Sequence, residues 1–526
     1  MNNFITKIST KYDIMIELPD TTWPLGIWSE CKGTYSRGYA MSVDGEIKDG
    51  FDLSKYFCTG SELEFKNLLE EADGCFAVVV DSGHYCFAAV DRSCTTPLFY
   101  GFTSDKKLIL SERAETVRQA VGNSEITPEA ENLFLFAGLV LDSKTLLSNV
   151  YQLQAGQYLV FDSTNMSFKV KNYHTFGKPG ELDLSEEQLY TNLDEIYLKT
   201  FKKLASWLGG RKALVPLSGG YDSRLITLML KQVGYDNVCC FSYNYAQRDW
   251  ELDISRKVAG YLGFEWIPVK CTPKLYRKHM QKGISRQKII DIINWSSWPV
   301  IQEWAPLHQI YRDLGRPNAV VISGHGGYLV GGNIPEKLFK GPFINSTELI
   351  DMLYSFYGSR DIDRNGAGGK IFREMLANKS AEEYTSSAAI HFWQRFYRLE
   401  RSAKILGRGF MLAPDALNIP VAMPLLNRDA MNLWSRVSPH YLEGKAAYKR
   451  YIERIEPALP QGNKYNLNNA KKIHKLRNFK LQWAKFTLLN KFILLIAMKG
   501  NLKKYFRVAL KAGFRIVCLR TLKSNI

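Results

Sequence analysis

The chain has 526 residues, of which 46% are apolar and 23% charged, and its formal net charge is +17. This length exceeds one ordinary core and predicts about three domains, while the apolar content excludes a disordered chain. Nine scattered cysteines form no C-x-x-C pair and no metal-ligand spacing, so we expect reduced thiols, no zinc site and a cytoplasmic protein. No apolar stretch follows the first charges, so we expect no secretory signal.

Short strands and turns dominate the first part of the chain. Apolar runs at residues 76–81 and 85–91 are separated by a Ser-Gly-His turn, and further runs follow at 97–102 and 108–111. Two short apolar runs joined by such a turn are typical of a β-hairpin. The pattern predicts a sheet-rich amino-terminal domain, which we place at residues 1–180.

A glycine-containing turn stands between an apolar run and a helical segment. Residues 213–217 are apolar, residues 218–223 are Ser-Gly-Gly-Tyr-Asp-Ser, and residues 224–233 suit a helix. Successive glycines let backbone N–H groups approach an anion, and a helix start presents free amides and a positive dipole end. Walker and dinucleotide spacings are both missing. The turn predicts a polyphosphate site, and an ordinary serine-capped helix is the alternative.

Strands and helices alternate after residue 185. Residues 189–208 and 251–262 have helical periodicity, and the strand candidates lie at 213–217, 238–243, 266–269 and 319–323. Such alternation predicts an α/β fold with a doubly wound parallel sheet. The glycine turn then lies at the carboxyl end of a strand, where these sheets bind ligands. The chain reads as mainly helical beyond about residue 347, and we assign residues 185–460 to this domain.

Most of the net charge lies in the last 70 residues. Residues 457–526 contain 16 Lys or Arg and no acid, which leaves 53 basic against 52 acidic residues elsewhere. The apolar stretch at 486–498 is shorter than the roughly 20 residues that span a bilayer. We predict a helical extension at 461–526. It suits an anionic lipid surface, such as the inner face of the membrane, or an RNA, and the alternative is a solvated positive face.

Several motifs, in this order along the chain, resemble those of the asparagine synthetase family. They are Gly-Cys-Phe-Ala at 74–77, Ala-Val-Asp-Arg at 89–92, Pro-Leu-Phe-Tyr at 97–100, the turn at 218–223, the run from Val321 to Gly332, Pro-Leu-Leu-Asn at 424–427 and the Lys-containing stretch 444–450. The resemblance implies a glutaminase-like amino-terminal domain followed by an ATP pyrophosphatase domain. It also implies ATP and Mg²⁺ as cofactors, and a carboxylate that is adenylated and then attacked by ammonia.

The same resemblance implies particular site residues. Asp222 would be the magnesium ligand, and Lys464 is the closest match to the family's lysine that stabilises the activated intermediate. The cofactor-binding residues would be Leu217, Ser218, Gly219, Gly220, Asp222, Ser223, Ser323 and Gly324.

Two departures from the family pattern change the expected chemistry in the amino-terminal domain. Asn2 stands where active glutaminases have their nucleophilic cysteine, and the nearest cysteine, Cys31, has no free α-amine as a base. We therefore predict no glutaminase activity, with ammonia supplied from solution or by a partner. Asp91 and Arg92 are then expected to form a structural ion pair.

The second glycine loop also departs from the family. His325 replaces an acid and Tyr328 replaces the metal-associated aspartate. Two interpretations of His325 stay open: a general base, given an ordinary pKa near 6.5, or a residue that hydrogen-bonds its own loop. The Tyr328 phenol keeps its proton below about pH 10, which would weaken metal binding.

Three functions follow from these patterns. The first is an amide-forming ligase acting on aspartate or on another carboxylate, such as a uronic acid of a surface polysaccharide precursor. The second is a non-catalytic nucleotide-binding relative that serves as a regulatory or scaffolding subunit. The third, adenylation of an RNA base, is disfavoured by the amino-terminal resemblance, so nucleic acid is not an expected partner.

Overall fold

The computed structural model describes residues 4–7, 14–19, 28–42, 45–244, 249–272, 275, 278–279, 294–297, 302–358 and 366–456. Lys464, Asn2 and the basic extension at 461–526 lie outside these residues. Within the described part, no helix combines the length and the apolar character that crossing a membrane requires.

The described residues of the amino-terminal region form two sheets and four helices. The strands are β1 (Phe4–Lys7), β2 (Ile14–Pro19), β3 (Ser29–Cys31), β4 (Thr34–Met41), β5 (Ile47–Asp49), β6 (Asp73–Asp81), β7 (Tyr85–Val90), β8 (Phe99–Phe102), β9 (Leu108–Ser111), β10 (Tyr151–Gln152), β11 (Gln157–Asp162) and β12 (Ser167–Asn172). The helices are α1 (Gly50–Tyr56), α2 (Glu62–Glu71), α3 (Ala114–Val121) and α4 (Pro128–Ala137).

The short apolar runs of this region are strands of two sheets. One sheet has the order β1-β2-β9-β8-β10, and the other has the order β12-β11-β7-β6-β4-β3, with β5 paired to β4. The predicted hairpin is confirmed as β6 and β7, with Asp81 opposite Cys86. Residues Phe76 to Val80 are buried in succession, because both faces of β6 are covered.

Asp91 and Arg92 both have structural roles, but the predicted ion pair between them is wrong. The Asp91 carboxylate accepts hydrogen bonds from the backbone N–H groups of Phe76, Ser93 and Thr95 and thereby shapes the turn after β7. Arg92 instead donates to the backbone carbonyls that end α2, including Leu69 and Glu70. The turn therefore directs the two side chains to different partners.

The second region is built around a parallel sheet. Its strands are β13 (Lys212–Pro216), β14 (Val238–Asn244), β15 (Glu265–Lys270), β16 (Ala319–Ile322), β17 (Phe343–Asn345), β18 (Glu383–Thr385) and β19 (Val421–Ala422). Its helices are α5 (Glu186–Leu208), α6 (Tyr221–Gln232), α7 (Asp249–Leu262), α8 (Trp304–Asp313), α9 (Ser346–Tyr357), α10 (Ala367–Ala377), α11 (Ser386–Phe396), a π-helix (Tyr397–Gly407), α12 (Arg408–Leu417), α13 (Arg428–Trp434), α14 (Pro439–Leu442) and α15 (Ala446–Ile455).

The predicted α/β fold is confirmed. The sheet order is β15-β14-β13-β16-β19, and all four pairings are parallel. Ala213, Leu214 and Val215 are fully buried, as expected for a strand covered on both faces. The turns after β13 and β16, which are adjacent strands, therefore open at the same edge of the sheet.

The π-helix connects the two regions. Lys404 and Glu400 form an ion pair at 3.0 Å with both side chains almost completely buried. Lys404 also donates to the backbone carbonyl of Val140 at 2.6 Å, and Glu400 accepts from the backbone N–H of Asp142 at 3.0 Å. A buried ion pair thus holds the amino-terminal region against the helical part of the second region.

Candidate functional site

The turn after β13 is closed by two serine side chains. The Ser223 hydroxyl accepts a hydrogen bond from the backbone N–H of Ser218 at 3.0 Å, and the two hydroxyls lie 3.2 Å apart. The Ser218 hydroxyl also accepts from the N–H of Gly220 at 3.2 Å. These contacts fix the turn at the start of α6 without a side-chain cap on that helix.

The start of α6 is open toward a second glycine loop. Gly220 is extended at the helix start, so the first-turn amides of α6 have no intrahelical acceptor. A side-chain carbon at Gly324 would lie 3.2 Å from the backbone nitrogen of Ser223. Glycine at 324 therefore keeps these amides accessible, which is the arrangement that binds phosphate at a helix N-terminus.

A lysine from a distant part of the chain faces this turn. The Lys445 ammonium lies 3.4 Å from Asp222 Oδ2, although 223 residues separate the two in sequence. A side-chain carbon at Gly327 would lie 2.3 Å from Asp222 Oδ2 and 2.7 Å from the Lys445 nitrogen. Because Gly327 has no side chain, the Asp222 carboxylate and the Lys445 ammonium have room to approach each other.

The two carboxylate oxygens of Asp222 have different surroundings. Oδ1 is buried and makes no hydrogen bond within the described structure. Burial, and then the nearby Asp222 carboxylate, raise the pKa of the Tyr448 phenol beyond its usual range. A carboxylate oxygen that makes no hydrogen bond in the described structure, beside a turn that could hold phosphate, suits Mg²⁺, which prefers carboxylate and phosphate oxygens. The described residues contain no group of three or more His, Cys, Asp or Glu side chains that could hold a metal ion.

His325 is buried and hydrogen-bonded in the second loop. Its Nε2 lies 2.9 Å from the Ser402 hydroxyl on the π-helix, and its ring packs against Phe410 with centroids 5.2 Å apart. Burial lowers the pKa of His325 to about 4, so the imidazole is neutral at pH 7. This pKa is lower than the ordinary value from which the general-base interpretation starts. The hydrogen bond to Ser402 joins His325 to the π-helix and not to its own loop, so both interpretations stay predictions.

Tyr328 fills the position where the resemblance implies a metal-associated acid. Its side chain is buried beside Tyr397, with ring centroids 5.6 Å apart. Burial raises the pKa of its phenol to about 12, while the nearby Arg398 opposes the shift. The phenol is therefore protonated at neutral pH, as predicted from the sequence.

A cleft of about 550 Å³ joins the two loops, a volume that suits a small-molecule ligand. Of the residues predicted from the sequence, it is lined by Leu217, Ser218, Gly220, Asp222, Ser223, Ser323, Gly324 and His325. Gly219 is buried in the turn and does not line the cleft. Lys464 lies outside the described residues, so its role stays a prediction.

Glu303 lines the cleft and lies directly before α8. It belongs to none of the motifs found in the sequence. Its side chain is 5% exposed and accepts a hydrogen bond from the Tyr243 hydroxyl at 3.0 Å. Burial raises the pKa of this carboxyl from 4.5 to about 7, and the Tyr243 hydrogen bond partly opposes the shift. Unlike Lys445, which belongs to a stretch that resembles a family motif, Glu303 had no sequence signal.

The raised pKa predicts that Glu303 destabilises the fold at alkaline pH. Well below pH 4.5, the Glu303 carboxyl is protonated in both the folded and the unfolded protein. Between pH 4.5 and 7, the unfolded protein loses this proton while the folded protein keeps it. Stability is therefore lost as pH rises, by about 3 kcal/mol above pH 7. Glu303→Gln should raise the urea midpoint of unfolding at pH 8 but not at pH 4.5. An equal effect at both pH values would contradict the shift.

Comparisons with known proteins agree with this two-part organisation. A glutamine amidotransferase domain model matches residues 61–174, and an asparagine synthase model matches residues 209–454. A 7-cyano-7-deazaguanine synthase from Methanocaldococcus jannaschii is 42% identical over 60 residues, which are 11% of this chain and 25% of that protein. The chain thus spans about a quarter of the length of this curated relative.

Two solved structures are also similar to parts of the chain. One is an NH3-dependent NAD synthetase from Campylobacter jejuni in complex with nitrate, at 14% identity and a TM-score of 0.21, covering 30% of this chain and 62% of that one. The other is an NMN synthetase from Francisella tularensis, at 12% identity and a TM-score of 0.23, covering 42% of this chain and 97% of that one. At these TM-scores neither likeness supports a statement about the site.

Proposed function

The chain belongs to the asparagine synthetase-like family of ATP-dependent amidation and adenylation enzymes, and from this premise we propose that it adenylates a carboxylate for attack by ammonia. The products would be an amide, AMP and pyrophosphate. Aspartate is the first acid to consider. A uronic-acid carboxylate on a polysaccharide precursor is the second, because the basic tail would suit a lipid-linked substrate at the inner face of the membrane.

One observation carries this proposal: Asp222 and Lys445 face each other beside the open start of α6. The helix amides and the lysine ammonium provide positive charge where two phosphoryl groups would lie. The unpartnered Asp222 oxygen provides the place for Mg²⁺ beside them. When bound, Mg²⁺ would neutralise charge on the departing pyrophosphate.

The arrangement addresses the main chemical difficulty of amide formation. A carboxylate is a poor acyl electrophile, whereas its adenylate expels AMP readily. A cleft that holds ATP and the acid together converts their encounter into a step within one complex. Positive groups fixed before the reaction then stabilise the charge that develops on pyrophosphate.

Ammonia would come from solution or from a partner. Cys31 is buried in β3, and burial raises the pKa of the Cys75 thiol beyond its ordinary range, so neither is suited to act as a thiolate nucleophile. These features support an amino-terminal region that keeps the glutaminase-like fold without its hydrolysis.

The test is exchange of labelled pyrophosphate into ATP in the presence of Mg²⁺. We expect exchange only when the right acid is added from a panel that includes aspartate, glutamate and glucuronate. Asp222→Asn should reduce this exchange at least 100-fold, which is the usual effect of removing a group that stabilises transition-state charge. Asp313→Asn, which removes an exposed carboxylate from α8, is the matched control.

The outcome also separates the two leading functions. Exchange with one acid would support the ligase. ATP binding without exchange for any acid would contradict it and favour a non-catalytic relative, for which the buried Tyr328 in place of an acid is the specific observation. Failure to bind ATP would contradict both.

A further inference from the structure

The cleft contains a second buried carboxyl whose environment differs from that of Asp222. Glu303 is almost fully buried, and the one hydrogen bond to its carboxyl group within the described structure comes from the Tyr243 hydroxyl. Asp222, in contrast, faces the Lys445 ammonium. Among the described residues, none brings such a cation to Glu303, and burial is the largest cause of its raised pKa.

Glu303 is connected to the phosphate-binding turn through the end of β14. The Ser242 hydroxyl donates a hydrogen bond at 2.6 Å to the carbonyl of Leu217, the residue directly before the turn. Tyr243 follows Ser242 and holds Glu303. Glu303 lines the same cleft as the turn, and its partner Tyr243 lies at the end of β14, the strand next to β13.

We infer that Glu303 is the base that takes the proton from the nitrogen attacking the activated acid. This inference rests on the proposed function and adds a residue to it. In the step, the nitrogen lone pair forms a C–N bond to the acyl carbon, and the C–O bond to AMP breaks with its electron pair leaving on AMP. The nitrogen becomes positively charged and transfers one proton to the Glu303 carboxylate.

Two other titratable groups of the cleft suit this step less well. The buried His325 imidazole has a pKa of about 4 and is a weak proton acceptor, and the Tyr328 phenol, with a pKa of about 12, is already protonated. Glu303 has a pKa of about 7. A general base works best when its pKa lies near the operating pH. A carboxylate would also attract ammonium, the prevailing form of ammonia at neutral pH.

The experiment compares the two half-reactions in the full chain and in Glu303→Gln, a variant of the same shape that can still accept from Tyr243. Pyrophosphate exchange, with the acid selected from the panel, should stay within about threefold of the parent. Amide formation from ammonium chloride should fall by about 10²- to 10⁴-fold, the range for loss of a general base. Asp313→Asn, at the far end of the helix that follows Glu303, should leave both half-reactions unchanged.

Hydroxylamine separates proton removal from a merely structural role. It is a weaker base than ammonia and is largely unprotonated at neutral pH, so Glu303→Gln should still form the hydroxamate at near-parent rates. Equal losses in exchange, amide formation and hydroxamate formation would overturn the inference, as would unchanged amide formation. If the parent exchanges with no acid, the proposed function itself is wrong, and this inference falls with it.

Discussion

Lys445→Ala should weaken the binding of ATP with Mg²⁺ by about 10- to 100-fold, which corresponds to about 1.5–3 kcal/mol for a charged hydrogen bond. The lysine faces Asp222 at the start of α6, where phosphates would lie. Its removal takes away a cation and leaves the Asp222 carboxylate to repel the nucleotide. Isothermal titration calorimetry measures the difference directly.

The same substitution should leave folding nearly unchanged. Both side chains of the pair are about a quarter exposed, and ion pairs of this kind contribute at most about 1 kcal/mol. Lys370→Ala, which removes a lysine that is 81% exposed, is the matched control and should change neither binding nor stability. ATP affinity within twofold of the parent in Lys445→Ala would contradict the placement of the phosphates.

Glu400→Ala should destabilise the protein by about 3–5 kcal/mol, the range found when one partner of a buried ion pair is removed. The Lys404 ammonium would stay between the two regions without its carboxylate, held only by backbone carbonyls such as that of Val140. The Asp142 N–H would lose its acceptor as well. Urea unfolding monitored by circular dichroism gives the change in stability.

A double substitution separates loss of the charge pair from loss of packing. Glu400→Leu combined with Lys404→Met removes both charges and should recover most of the lost stability, since apolar replacements of buried pairs are often neutral. Glu374→Ala, in the exposed pair with Lys370, should change stability by less than about 1 kcal/mol. A Glu400→Ala variant as stable as that control would show that the pair does not hold the regions together.

The elements that the sequence predicted best are those with a strong local pattern. The hairpin of β6 and β7, the long helix α5 and the strands β13 to β16 all occur within a few residues of the predicted bounds. Each has an unbroken apolar run or a helical period that tertiary contacts only reinforce. The glycine turn directly follows one of these strands, so the sequence pattern was sufficient to place it at the edge of the sheet.

The remaining features depend on contacts between distant residues. Lys445 comes to Asp222 only through the packing of α15 behind α6, and the burial of His325 depends on Ser402 in the π-helix. The sequence indicated a helical segment there but not a π-helix, whose geometry is set by its neighbours. Glu303 shows this limit of sequence-based prediction most clearly, because its pKa is raised by burial, which no sequence motif indicates.

The central claim is that the turn of residues 218–223 binds the phosphates of ATP. Titration of ATP into the full chain in the presence of Mg²⁺, followed by calorimetry, tests it most directly. The account predicts saturable one-site binding with a dissociation constant between about 1 μM and 1 mM, the range of enzyme substrates, and weaker binding in Lys445→Ala. No heat from ATP in a folded sample would contradict it.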